Sequence, residues 1–120
     1  MIDLPEGLYE VDYAYLVDVR KRRLELRKVT FEIFLDRRGE KALRGRGFIS
    51  NVAFVEFLED TEQVDLVLSF FADYFLWLKE PVIQVGKVFE PETQASLIFS
   101  VGESISFVSW EQFHELTGLR

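Results

Sequence analysis

The side chains in this 120-residue chain best equipped for chemistry are its arginines. Arg22, Arg23, Arg27, Arg37, Arg38, Arg44 and Arg46 fall within one short stretch. A guanidinium offers a planar fork of donors that meets phosphate or carboxylate bidentately. Between Arg20 and Arg46 there are 11 basic residues against 4 acids, a local charge of +7. The rest of the chain holds 3 basic and 17 acidic residues, or −14, so the formal net charge of −7 hides a bipole. The overall negative charge argues against indiscriminate binding to nucleic acid or anionic membrane, while the basic stretch supplies a local field for a polyanion. Phe34 and Phe48 lie close by in sequence and are suited to stacking on unpaired bases.

Other chemistries are thin. There is no cysteine, so disulfides, thiolate metal sites and a cysteine nucleophile are excluded, and a cytoplasmic home is expected. The one histidine, His114, has no nucleophile elbow near it and reads as an ordinary surface or half-buried side chain. A single histidine leaves zinc without a ligand set. Glu56, Glu59, Asp60, Glu62 and Asp65 are oxygen donors, but their spacing matches no calcium loop, and acids gather where a helix begins. Gly45-Arg46-Gly47 lacks the third glycine and the following helix of a dinucleotide loop. No metal, cofactor or catalytic residue is expected, and the chain reads as a non-enzyme.

The elements that must position the arginines follow from hydrophobic period. Tyr9 to Val19 alternates with period two and predicts a strand, with Arg20 to Arg23 as its turn. In the next segment Leu24 and Leu26 occupy even positions, then Val29, Phe31, Ile33 and Leu35 occupy odd ones, which predicts a bulge at Arg27–Lys28. Asp36-Arg37-Arg38-Gly39 predicts a type I turn closed by a left-handed glycine. The returning strand, Glu40 to Phe48, has little to bury, and Gly45 and Gly47 leave room for a close approach. It reads as an edge or mobile arm, with the Asp36–Gly39 tip projecting from the core. Ile49 to Leu58 reads as a buried strand.

Asp60-Thr61-Glu62-Gln63 offers a helix cap, and Asp65, Ser69 and Asp73 fall on one stripe of a helix running to Lys79 before Pro81. Such a helix, about 61–79, would be apolar around most of its girth and would need cover on two sides. Phe70, Phe71, Tyr74, Trp77 and Leu78 are therefore expected at an oligomer interface. Strands are expected at Val82–Glu90, Ala95–Val101 and Ser104–Val108, then a short helix at about 110–117 with Ser109 as cap and Gly118 as stop.

The expected architecture is one α+β domain over residues 1–120, mainly an antiparallel curved sheet in the order β-β-β-β-α-β-β-β-α, with a basic hairpin arm at about 20–46. Apolar residues at 48% and charged residues at 29% suit such a domain. One asparagine, one methionine and more arginine than lysine give a thermophile-like composition. Met1 to Gly7 carries two acids and no apolar stretch, so no signal peptide is expected.

Two resemblances attach to particular features. Arg23-Leu24-Glu25-Leu26-Arg27 and the later Ser50 resemble the split arginine and serine signature of PilZ cyclic-dinucleotide receptors, whose serine lies in a [DN]-x-S-x-x-G motif. Here Phe48 and Ala53 stand at the aspartate and glycine places. The tandem strands-then-helix order resembles the PUR and Whirly single-strand binders in outline, without a motif of either. The resulting expectation is an oligomeric binding module that meets single-stranded nucleic acid or an acidic protein surface through its basic hairpin, with no membrane partner. A purely structural homo-oligomer and a cyclic-dinucleotide-type receptor are the alternatives.

Overall fold

In a computed structural model, residues 3–20, 22–50, 57, 63–86, 94–102 and 104–118 are described. They form nine strands and a C-terminal helix: β1 (Gly7–Glu10), β2 (Tyr13–Val17), β3 (Arg23–Leu35), β4 (Lys41–Ser50), β5 (Asp65–Phe70), β6 (Tyr74–Lys79), β7 (Val82–Val85), β8 (Gln94–Ser100), β9 (Ser104–Phe107) and α1 (Trp110–Thr117). All strand pairs are antiparallel, in the order β7-β8-β4-β3-β2-β5-β6-β9, with β1 also on β3.

The sheet is built from two long, bent hairpins. In the first, β1 and β2 together run along β3 in one unbroken register, from Gly7↔Ile33 to Val17↔Arg23. Its bend falls where the register of β3 against β4 shifts between Arg27 and Thr30, with Lys28 left-handed at φ 52°. This is the bulge that the change of parity predicts. Leu24 and Leu26 before it, and Val29, Phe31 and Ile33 after it, all reach one core. The partner strand bends too, at Val11–Asp12, so the period-two reading of Tyr9–Val19 needs correction. Tyr9 points into the main core, whereas Tyr15 and Val17 face α1 and Ala14 and Leu16 take the inner positions.

The second hairpin sets β6 and β7 against β9 and β8, from Leu76↔Phe107 to Val85↔Leu97. It bends at Glu80 (φ 46°)–Pro81 on one strand and Val101–Gly102 on the other. A Cβ on Gly102 would lie 1.9 Å from the Glu80 carbonyl oxygen, so only glycine lets the two bends cross. Together the hairpins curl one continuous sheet into a half-barrel, with β7-β8-β4-β3-β1 on one side and β3-β2-β5-β6-β9 on the other.

The helix expected at about 61–79 does not form over its described part, 63–79. Asp65–Phe70 and Tyr74–Lys79 are strands joined through Phe71, Ala72 and Asp73, and this overturns the expected element order and long apolar helix. The residues are apolar on all sides because both faces of these strands are covered. Leu66, Leu68, Phe70, Leu76 and Leu78 enter the main core, while Val67, Phe75 and Trp77 pack under α1 with Tyr15, Val17 and Phe113. Each such side chain contributes about 1.5–3 kcal/mol by leaving water, and a two-sided sheet buries more of them than a lone helix does. The Asp65, Ser69, Asp73 spacing is thus an accident of strand start, strand end and turn. Asp60–Glu62, the expected cap, lies outside the described residues, as does most of the expected strand at Ile49–Leu58. The strands-then-helix outline shared with PUR and Whirly proteins falls with the helix.

The short helix forms as expected. Ser109 Oγ accepts from the Gln112 amide at 3.1 Å, and Gly118 closes the helix at φ 71°. No helix among the described residues is long and apolar enough to cross a membrane.

Two substitutions test this packing. Phe71 and Ala72 both sit at left-handed φ, 49° and 62°, where a side chain is strained. Phe71 gains ring contacts with Tyr9, Phe70 and Tyr74, whereas Ala72 contributes no ring contact. Ala72→Gly is expected to raise the thermal midpoint by a few °C, corresponding to about 0.5–1 kcal/mol, in a calorimetric scan. Gly45→Ala is expected to cost about 1–3 kcal/mol, because its Cβ would lie 2.1 Å from the fully buried Phe99 ring.

Candidate anion-binding face

Strand register, not proximity in sequence, decides which arginines meet. On the outer face of the β7-β8-β4-β3-β1 side, Leu8, Glu32, Arg44, Ser100 and Val82 form one row across five strands. Glu10, Thr30, Arg46, Ile98 and Gln84 form the next, and Arg27, Phe48 and Ser96 a third. Strands lie ~4.8 Å apart and same-face residues ~6.7 Å apart, so five strands span ~19 Å and Arg44 and Arg46 stand one row from each other. Among the described residues, no helix covers this face. Leu8 is 73% exposed and Ile98 48%, whereas Val67 and Phe75 beneath α1 are 0% and 7% exposed.

Arg44 extends over the Phe34 ring at 5.1 Å and reaches Glu32 at 3.5 Å, an exposed pair worth little in water. Arg46 has no ion pair among the described residues and lies between Thr30 and Ile98. A cavity of about 270 Å³ opens between these arginines and Leu8, Glu32 and Ile98. The result is a curved outer surface with three guanidinium groups, half-exposed rings at Phe34 and Phe48, and the hydroxyls of Thr30, Ser96 and Ser100. It suits extended, phosphate-bearing ligands with planar groups.

The remaining expected contact residues go elsewhere. Arg22 bonds Asp18 Oδ2 through Nε at 2.7 Å and lies over the Phe57 ring at 5.5 Å. Arg23 donates to the Thr117 carbonyl at 3.4 Å, closing the C-terminal end of α1. Arg37 and Arg38 occupy the Asp36–Gly39 turn, which has the expected form: Gly39 N–H donates to the Asp36 carbonyl, and Asp36 Oδ1 accepts from the Arg38 and Glu40 amides. The expected edge position of the returning strand is not observed from Arg44 onward, where β4 pairs with β3 on one side and β8 on the other; Lys41–Leu43 pairs with β3 alone among the described residues. Gly45 and Gly47 admit the chain's own core, Phe99 and Val29, in place of an outside backbone or ligand.

Of the expected interface residues, Phe70 and Leu78 are fully buried in their own chain, and Trp77 is half-buried. Phe71 and Tyr74 stay exposed. Trp77 Nε1–H donates to Asp65 Oδ2 at 2.9 Å, and the Glu80 amide donates to Asp65 Oδ1 at 2.9 Å, so that carboxylate is structural. Among the described residues, no group of three or more histidines and acids is placed to hold a metal ion. His114 is half-buried against the Trp110 ring at 4.0 Å, with Nδ1 buried and unbonded. Leu8, Ile98, Ser96 and Ser100 are site residues that sequence reasoning missed. Leu97-Ile98-Phe99 breaks the alternation of its strand and was the available signal.

Among the described residues, two ionisable groups are displaced. Burial foremost, and then the Glu25 charge, raise the Tyr15 hydroxyl pKa, with Arg23 opposing. Burial would raise that of Asp18, but hydrogen bonds from the Arg22 side chain and amide, the Arg22 charge and the Arg20 amide outweigh it and hold the carboxyl below its ordinary value. Comparison of the chain with family models, curated proteins and solved structures yields no match.

The lowered Asp18 pKa means that its stabilisation is full above the ordinary aspartate range and fades as pH falls through its own pKa. Asp18→Asn is therefore expected to destabilise the protein at pH 7 by roughly 1–3 kcal/mol. In urea melts the gap between variant and parent narrows as the pH falls below the ordinary aspartate range.

Proposed function

We propose that this protein is a non-enzymatic, cytoplasmic binding module that takes a short single-stranded nucleic acid on the outer face of β7-β8-β4-β3-β1. One observation carries the reading: Arg27, Arg44 and Arg46 share an uncovered face with Phe34 and Phe48, while Arg22 and Arg23 are engaged by Asp18 and Thr117. Guanidinium groups meet phosphates, and the rings accept bases irrespective of sequence. The acidic remainder of the molecule repels a long duplex, which favours a short, unpaired strand.

Fluorescence titration of labelled single- and double-stranded oligonucleotides at two salt concentrations tests this. Three phosphate contacts give a slope of log K against log salt of about −2 for a single strand. Arg44→Ala and Arg46→Ala are each expected to weaken binding and to lower the magnitude of that slope by somewhat less than one. Arg22→Ala and Arg23→Ala should leave it unchanged. Absence of binding to either oligonucleotide at low salt would turn the reading toward an acidic protein surface.

A second reading has its own support. Arg27 lies opposite Phe48, and Ser50 follows two residues along the same exposed face of β4, so part of the PilZ-like signature is brought together. Its other arginine, Arg23, is held at the end of α1. A cyclic dinucleotide that displaces the oligonucleotide in a manner sensitive to Arg27→Ala and Ser50→Ala would favour this smaller ligand.

A further inference from the structure

Two strand edges face one another in this half-barrel without pairing. β8 pairs with β4 from Ser50↔Gln94 to Arg44↔Ser100, then turns at Val101–Gly102 into β9, whose ladder is with β6. β4 continues through Leu43, Ala42 and Lys41, which pair with β3 on one side and, among the described residues, with no strand on the other. β9 ends the strand order and is bonded along its β6 side. Because β6–β7 follows one side of the bent β8–β9 strand and β4 follows the other, the β9 edge that carries no strand among the described residues and that of Lys41–Leu43 open onto the same wedge. The wedge is a cleft of about 1010 Å³. Leu43, Val101 and Ile105 give it an apolar lining, and Lys41, Arg44 and Glu40 stand among its charged residues.

We propose that this seam binds an extended peptide segment of a partner protein, which enters as an added strand between β4 and β9. The free edges carry main-chain donors and acceptors in two facing rows, and an extended backbone answers both rows at once. The edges are three and four residues long, so a segment of about four to six residues, some 13–20 Å, fills the seam. Its alternate side chains would meet Leu43 and Ile105 on the inside, which calls for apolar residues there. The outward position passes Arg44, which favours an acid, while Lys41 lies on the Leu43 side with its ammonium donating to the Leu4 carbonyl. A lone strand is thin enough to enter, whereas the edge of a second folded copy brings its own side-chain layers and neighbouring strands. An added strand also removes two exposed edges by closing the barrel.

The test begins with a display library of random octapeptides selected on the immobilised full-length chain. Selected peptides are then synthesised unmodified and with N-methyl groups on alternate residues. The expected result is enrichment of alternating apolar and polar sequences with an acid. N-methylation in one register should weaken binding at least tenfold, and amide shifts should centre on Lys41–Leu43 and Ser104–Phe107. Ala42→Arg, which fills the cleft from a half-buried position on its lining, should weaken binding at least tenfold while the thermal midpoint shifts by no more than a few °C. Failure to enrich any peptide would overturn the proposal. So would equal binding of both N-methylated series, or shifts confined to Leu8, Arg46 and Ile98. Seam shifts that appear on concentrating the protein without peptide would assign the seam to a second copy and overturn it as well.

Discussion

The structure depends on a bend in its longest strand. β3 is 13 residues long and serves both sides of the half-barrel, pairing with β2 at its start and with β1 and β4 beyond. A flat strand with period two would send Leu24 and Leu26 to the face opposite Phe31 and Ile33. The extra residue at Lys28 turns the parity over, so all four reach one core. The same bend turns β1–β2 at Val11–Asp12, and a matching bend in the second hairpin brings β7–β8 round to β4. Without it the chain would form two sheets with no shared interior.

Core filling then follows from where the sheet curves. The Phe31, Phe70 and Tyr9 rings meet edge-on or stacked at the bend, with centroids 4.9–5.9 Å apart. Phe99 lies against the bare backbone of Gly45, so a large ring and a missing side chain occupy one another's space. On the opposite side α1 lays Phe113 over Tyr15 and Phe75, and the sheet there is buried on both faces. Among the described residues, the other half leaves Leu8, Arg44, Arg46 and Ile98 exposed on its outer face.

Charge follows the same division. Where the basic stretch meets α1 or the β2–β3 turn, its arginines are consumed by Asp18 and the Thr117 carbonyl. Where it crosses the outer face, Arg44 and Arg46 stand exposed among the apolar side chains of Phe34, Phe48 and Ile98. One basic segment thus divides into arginines bonded within the chain and arginines left on the outer face, according to the strand partner that each residue receives.

Local signals in the sequence determined the features that depend on near neighbours. The Asp36–Gly39 turn, the Ser109 cap with its Gly118 stop, the bulge at Arg27–Lys28 and the strands after Pro81 each rest on interactions within a few residues, and each was legible. The absence of cysteine and the polarity of the charge were also fixed by composition. Tertiary structure decided what depends on cover from distant segments. Whether Val64–Leu78 becomes a helix or a hairpin turns on α1 lying above it and β3 beneath it, because an apolar run buried on both sides has the same composition in either form. The turn at Phe71–Ala72 carries no glycine or asparagine to announce it. Whether Glu40–Phe48 is an edge or an inner strand depends on β8, some fifty residues away, and so does the grouping of Arg44 and Arg46 with Ile98. A sequence records which residues are apolar or charged; the register of remote strands decides which of them touch.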